Sequence, residues 1–362
     1  MTLQKPAFYD PLKSYEANYT DGPLISPSTT HPDRDLSNAK LFEFLGHKIS
    51  LPFGIPPGPL LNSQFMEAAF DFGFDVSTYK TVRADAFPCH PFPNVLFVNV
   101  ENDLHPDQTP RLIATSKEPK EIEALNITNS FGVPSMSSPV WQKDVAKALT
   151  YVKPNQLMIL SFMGTVKPHQ TQDEFVDDFA NAARLAAATG AQILEANLSC
   201  PNIGNEGLVC YNIDVSEAVC KAIRKVIGDL PLILKIGYYK DEDQLAKFAS
   251  MADKYAQAIA AINTLQVEVV NKDGQQALPG PMRLRSGVCG SSIRWAGLEM
   301  VKRLYALKQK NNYSYEIMGV GGVLTKDDYA QYRQAGADVV QSATGAMWNP
   351  LLAYEIWNYE NS

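Results

Sequence analysis

The sequence predicts an α/β fold, a (β/α)8 TIM barrel, and three observations carry that expectation. Eight short apolar runs recur from residue 51 onward. They are continuous rather than alternating in polarity, as strands buried on both faces require. Amphipathic helical stretches separate them, several closing on a glycine just past the periodic face.

Residues 1–45 come first and read differently, rich in Pro, Asp, Ser, Thr and Tyr with little periodicity, as in DGPLISPSTTHPDRD. We expect an irregular N-terminal extension packed along the outer helices or a dimer face, with Phe8, Tyr9, Tyr15 and Tyr19 as anchors. The composition also allows a partly disordered tail. Residues 46–362 are expected to form the catalytic barrel domain. Its strand candidates are LPFGIPP (51–57), DVSTYK (75–80), QLMILSFMG (156–164) and QILEANLS (192–199). PLILKI (231–236), AIAAINTL (258–265), YEIMGVGG (315–322) and ADVVQSAT (338–344) complete the set. Helical patterns fill 173–190, 215–229 and 326–338 between them. Residues 82–138 are too long for one connection and predict an inserted β hairpin or lid over the barrel mouth.

Composition narrows the function. With 362 residues, 45% hydrophobic and 20% charged, the chain can bury a large core. A net charge of −7 without a basic stripe argues against a nucleic-acid partner. No apolar run approaches the roughly 20 residues that cross a bilayer, and the N-terminus lacks a basic-then-apolar signal pattern. Five scattered cysteines (Cys89, Cys200, Cys210, Cys220, Cys289) without a CxxC pair predict reduced thiols and a cytoplasmic setting. No HxH or DxD set suggests a metal.

In such a barrel, chemistry belongs to the C-terminal strand ends. Lys80 ends the second strand candidate, Asn197–Asn202 (NLSCPN) the fourth, and Lys235 stands near the end of the fifth. Asn263-Thr264 follow the sixth, Gly319–Gly322 the seventh and Ser342–Gly345 the eighth. The last two segments match the phosphate grip of these barrels, where glycine lets backbone N–H groups approach an anion; GVGG alone is equally a plain turn. Lys235 in an apolar strand needs a counter-charge or an electron-rich partner, unless it snorkels to the rim, and Lys80 poses the same choice. Cys200 is either an inert buried thiol or a general base. Asn197, Asn202, Asn129 and Asn263 favour the second reading, because amides that donate and accept suit a ring with alternating C=O and N–H groups, such as a pyrimidine. No histidine lies in these segments, so a Ser-His-Asp or Cys-His mechanism has no support.

These residues resemble a known family. NLSCPN (197–202), with NSFGVP (129–134), LKIGYY (234–239), AINT (261–264), GVGG (319–322) and VQSATG (340–345), is similar to class 1 dihydroorotate dehydrogenase, collinearly from about residue 45 to the C-terminus. The resemblance implies an FMN-dependent oxidation of (S)-dihydroorotate to orotate. Cys200 would remove the C5 proton while flavin N5 accepts hydride from C6. Asn129, Asn197, Asn202 and Asn263 would hold the pyrimidine ring, with Thr264 where the family has serine. Backbone N–H groups of Phe131, Gly132 and Val133 would bind the substrate carboxylate. Lys80, also near the substrate, and Lys235 would contact the FMN ring, with Gly58, Thr81, Gly290, Gly321, Gly322, Ala343 and Thr344 around the rest of the cofactor. The family also implies a homodimer and, in its soluble subclass, fumarate as electron acceptor. This chain carries Asn94 where that subclass has arginine and Ala343 where glycine is usual, and it lacks a proline pair at Gly237-Tyr238. The alternatives are a related dihydropyrimidine dehydrogenase or other ene-type reductase on the same barrel, and a barrel that only binds.

Overall fold

The computed structural model describes residues 6–25, 32–37, 40–199 and 207–362. Eight parallel strands build its main sheet: β1 (Phe53–Gly54), β2 (Val76–Val82), β3 (Leu157–Phe162), β4 (Ile193–Asn197), β5 (Leu232–Ile236), β6 (Ala258–Ala261), β7 (Glu316–Val320) and β8 (Val339–Gln341). Each apolar run holds one strand, in chain order around the sheet, and β8 pairs with β1. Between β1 and β2 the ring is joined by the Thr78 N–H, which donates to the Ile55 carbonyl at 2.8 Å. This is the TIM barrel that the sequence predicts. Every position of β2 through β6 is buried, which accounts for the lack of alternation.

The barrel interior changes character along its axis. Val76, Ile159, Ile193, Ile233, Ala258, Met318 and Val339 share one apolar cluster with Phe44 and Ile49. Those two come from an antiparallel hairpin, Phe42–Phe44 with His47–Ile49, that seals the N-terminal end. One inward step further along β3, β4 and β5 stand Ser161, Glu195 and Lys235. Polar groups therefore begin above a dry floor.

Outer helices Gln172–Ala187, Ile213–Ile227 and Lys326–Gln334 lie within two residues of the patterns read from sequence or inside them. The first is set by a capping box in which Thr171 and Glu174 satisfy each other's backbone N–H.

Two expectations gain detail from the structure. The lid read in 82–138 is part of a second, closed five-stranded barrel. Its strands are Val95–Val98, Arg111–Thr115, Asn126–Asn129, Leu265–Val270 and Arg285–Gly290. The run 258–265 thus divides: β6 stops at Ala261, and Leu265 opens an inserted strand. Asn126–Asn129 pairs antiparallel with both Val95–Val98 and Arg285–Gly290. Its second partner lies more than 150 residues away, beyond any local signal.

The N-terminal extension is also less irregular than expected. Tyr15–Asp21 is a helix, with Ser14 Oγ accepting from the Ala17 N–H at 3.1 Å. So short a helix shows no periodicity and depends on tertiary packing, here through Tyr15 and Asn18. Phe8 sets its ring edge-on against Phe74 at 5.9 Å, while Tyr9 and Tyr15 meet Phe131 at 5.5 and 6.2 Å. All four expected anchors are buried or half-buried: Tyr9 lines the barrel mouth, while the Tyr19 carbonyl accepts from Asn62 Nδ2, at the start of the outer helix Ser63–Asp71, at 2.8 Å. Further on, Arg34 grips Asp75 with two hydrogen bonds of 2.8 and 3.1 Å, and Asp75 is wholly buried.

Removing one partner of that pair leaves a buried charge uncompensated. Arg34→Ala is expected to cost about 3–5 kcal/mol of unfolding free energy, and Arg34→Ala/Asp75→Asn clearly less. Urea denaturation of both variants checks the order.

Candidate functional site

A cleft with about 1200 Å³ of empty volume opens between the C-terminal strand ends and the inserted barrel. The main barrel supplies its floor. Lys80 and Thr81 both line it, although they are consecutive in one strand. A register irregularity between Tyr79 and Val82 against β3 permits this. Asn197 ends β4, and its Oδ1 accepts the Ser199 N–H at 3.1 Å, which orients the amide. Lys235 follows from β5. Asn263 and Thr264 leave β6, with Asn263 Oδ1 accepting the Thr264 N–H at 2.9 Å.

Glycine forms the far wall. Gly321 and Gly322 follow β7 at φ of +129° and +69°, where a side chain would be strained. A Cβ on Gly322 would also lie 2.6 Å from Arg294 Cβ. Ala343 and Thr344 stand beside them after β8. Gly58 completes this side, and a Cβ there would meet no heavy atom within 4 Å.

The inserted barrel supplies the roof. Asn129 donates from Nδ2 to the Cys289 sulfur at 3.4 Å and the Gly287 carbonyl at 3.5 Å. Beyond it, Phe131, Gly132 and Val133 form a turn with positive φ at Gly132 and Val133. Buried Arg83 fixes that turn: its guanidinium donates to the carbonyls of Val133 at 2.9 Å and Gly132 at 3.1 Å. The Phe131 carbonyl accepts the His90 N–H at 3.0 Å, so all three carbonyls of the turn are engaged. Asn94, buried nearby, donates to the carbonyls of His90 and Ser130 and so serves the turn, while Arg283 brings a guanidinium to the Pro91 and Ser130 carbonyls.

The structure thus gathers fifteen of the sequence-predicted site residues in one cleft. Gly290 is not among them; a Cβ there would lie 2.1 Å from the Leu125 carbonyl oxygen. Cys200 and Asn202 lie outside the described residues, in the segment that follows Ser199. Tyr9, Arg83 and Gln341 are additions that sequence reading missed. Tyr9 lines the cleft from a segment with no strand to announce it. Arg83 carried a signal, a charged residue one turn of chain past Lys80-Thr81.

Electrostatics follow from burial. Lys80 is pushed down to about 8, by desolvation first and by the Lys235 and Arg83 cations, against the pull of Cys89. Lys235 is lowered for the same first reason, opposed by Glu195. Tyr9 is raised by burial and stays a neutral phenol. The described lining includes two lysines and no carboxylate, a balance that favours an anion. Among the described residues no group of His, Cys, Asp and Glu is arranged for a metal ion, and no helix is long and apolar enough to cross a membrane.

A family model described as dihydroorotate dehydrogenase matches residues 102–358. The chain is 36% identical to the dihydroorotate dehydrogenase of Dictyostelium discoideum, over 99% of this chain and 98% of the relative. It is 25% identical to the catalytic subunit of dihydroorotate dehydrogenase B (NAD(+)) from Brachyspira hyodysenteriae, over 64% and 70% of the two chains. The corresponding subunit of Maridesulfovibrio salexigens is 32% identical over 48% of this chain and 55% of its own.

A lysine whose amine is depressed from 10.5 to about 8 burdens the empty fold by about 3 kcal/mol below pH 8. Protonation there favours the unfolded chain, so the burden declines as pH rises from about 8 to 10.5. Lys80→Met is therefore expected to stabilise the ligand-free protein at pH 7, by up to that amount, and much less near pH 10.5. Denaturant titrations at both pH values test this, and destabilisation at pH 7 would contradict it.

Proposed function

Because the chain belongs to the dihydroorotate dehydrogenase family, we propose that it oxidises (S)-dihydroorotate to orotate in pyrimidine biosynthesis, with FMN as its cofactor and Cys200 as its base. The observation that carries this reading is a cleft lined by two buried lysines and three asparagines, without a carboxylate among its described lining residues. An amide-rich anionic ring finds donors, acceptors and positive charge there.

The residues present fit FMN. Gly321 and Gly322 with Ala343 and Thr344 form a backbone cradle for its phosphate, and Gly58 and Thr81 leave room beside its ring. Lys80 and Lys235 would contact that ring and its carbonyl edge. When bound, FMN supplies the acceptor for the hydride lost from C6 of the substrate. The chain's own groups do the rest. Asn129, Asn197 and Asn263, with Asn202 and Thr264, orient the ring. The N–H groups of Phe131, Gly132 and Val133 take the substrate carboxylate, on a turn that Arg83 holds through the carbonyls of Gly132 and Val133. Cys200 accepts the C5 proton, so that loss of H⁺ from C5 and H⁻ from C6 leaves the C5=C6 double bond of orotate. The reading includes fumarate as the final electron acceptor, a homodimer and a cytoplasmic location.

An anaerobic absorbance spectrum tests substrate and cofactor together. The purified protein should be yellow, and its flavin bands should bleach on adding dihydroorotate. A yellow protein bleached by dihydrouracil instead would move it to the dihydropyrimidine dehydrogenase type. Cys200→Ala should lower turnover by roughly 10²–10⁴-fold with flavin content unchanged, the range of a lost general base. Cys200→Ser should retain more activity and improve toward high pH, since a hydroxyl is the weaker base.

A further inference from the structure

Beneath the cleft floor, the barrel interior holds a carboxylate that no step above uses. Glu195 lies on β4 two residues before Asn197, which lines the cleft, and two after Ile193, which belongs to the apolar interior. Strand alternation therefore turns Glu195 inward. It is wholly buried, and neither carboxylate oxygen has a hydrogen-bond partner of good geometry. The neighbouring Ser161 hydroxyl lies 3.0 Å from Thr81 Oγ1 and, with Lys235, lowers the acid's pKa against the effect of burial.

An acid in such a place is costly, and glutamine or leucine would fill the same volume without a charge. What singles it out is the strand beside it. In the β4–β5 register Glu195 stands opposite Ile233, and Asn197 opposite Lys235. Lys235 and Glu195 are thus on neighbouring strands, both inward, one layer apart. Each counters what burial does to the other: the ammonium lowers the acid's pKa, and the carboxylate raises the amine's. Lys80, the other buried cation of the cleft, has no carboxylate among the groups that shift it.

We propose that Glu195 is a positioning residue that keeps Lys235 cationic at the cleft floor, and through it sets how strongly the cleft favours an anionic ring above. The link to a ring rests on the FMN reading of the cleft; the link between Glu195 and Lys235 does not. Without the carboxylate, the desolvation of Lys235 goes unopposed, and the negative charge that an FMN ring would gain on reduction has a weaker partner beneath it.

Two measurements test this. In the FMN-loaded protein, the midpoint potential is titrated with dithionite and mediators. Glu195→Gln should shift it to more negative values, Glu195→Asp should restore part of the shift, and Glu195→Gln should have no effect in a Lys235→Met background. A shift to more positive values would mean that Lys235 keeps its charge unaided and the acid merely opposes reduction, which overturns the proposal, as would no shift. In the FMN-free protein, a double-mutant cycle of Glu195→Gln and Lys235→Met by denaturant unfolding should show coupling of about tenfold or more in the unfolding equilibrium constant. Additive effects would overturn it, whether or not the protein takes up FMN. Since dithionite replaces the substrate, a protein that dihydroorotate cannot reduce would refute the substrate assignment and leave Glu195 still tested.

Discussion

Closure of the eight-stranded ring is the constraint on which the other features depend. β1 and β2 must meet, and they do so where Gly54 passes the Val76 carbonyl so closely that a Cβ would lie 1.7 Å from its oxygen. Gln341 braces the same seam from inside, donating to the Val76 carbonyl and to Thr78 Oγ1 at 3.0 Å each. With the ring closed and its base sealed by Phe44 and Ile49, only one end remains open. Polar side chains on the inner faces are then driven toward that end, because the other offers neither water nor partners.

The consequence is a gradient along the barrel axis. Isoleucine, valine and alanine occupy the lower layers, then Ser161 and Glu195, then Lys80, Asn197 and Lys235 at the cleft. Burial at the top of a dry barrel strengthens each charge's influence on the next. It holds Lys80 near 8 and makes the Lys235 charge depend on what surrounds it. A site built this way holds its lysines at a desolvation cost that a neighbouring anion would offset.

The open end is finished by parts that do not belong to the barrel repeat. The inserted five-stranded barrel brings Asn129 and the 131–133 turn over the strand ends, and Arg83 locks that turn from below. The N-terminal extension brings Tyr9 to the same wall, held by its contact with Phe131 and by the Ala7 N–H on the Met347 carbonyl. Asn94 and Arg283 then tie the loop of residues 90–94 to Ser130.

The barrel and its floor were legible in the chain because their signals are local. A strand buried on both faces needs a continuous apolar run, and a lysine, an amide or a glycine at its end stands out against that run, as Lys80, Asn197, Lys235 and Gly321-Gly322 do. The family motifs sharpened those same positions. The roof was legible only as an inserted β segment within 82–138; its closure with strands near 265–290 was not, because those strands pair across more than 150 residues. Gly290 shows a related limit: its close approach to the Leu125 and Asn126 backbone is made by strands distant in sequence and leaves no local signal. Tyr9 and Arg83 are the converse, ordinary residues locally that become wall and clamp only when the chain returns to them. Composition and periodicity thus determined the barrel and the chemistry at its strand ends, whereas contacts between distant segments decided how the cleft is roofed and which buried charges meet.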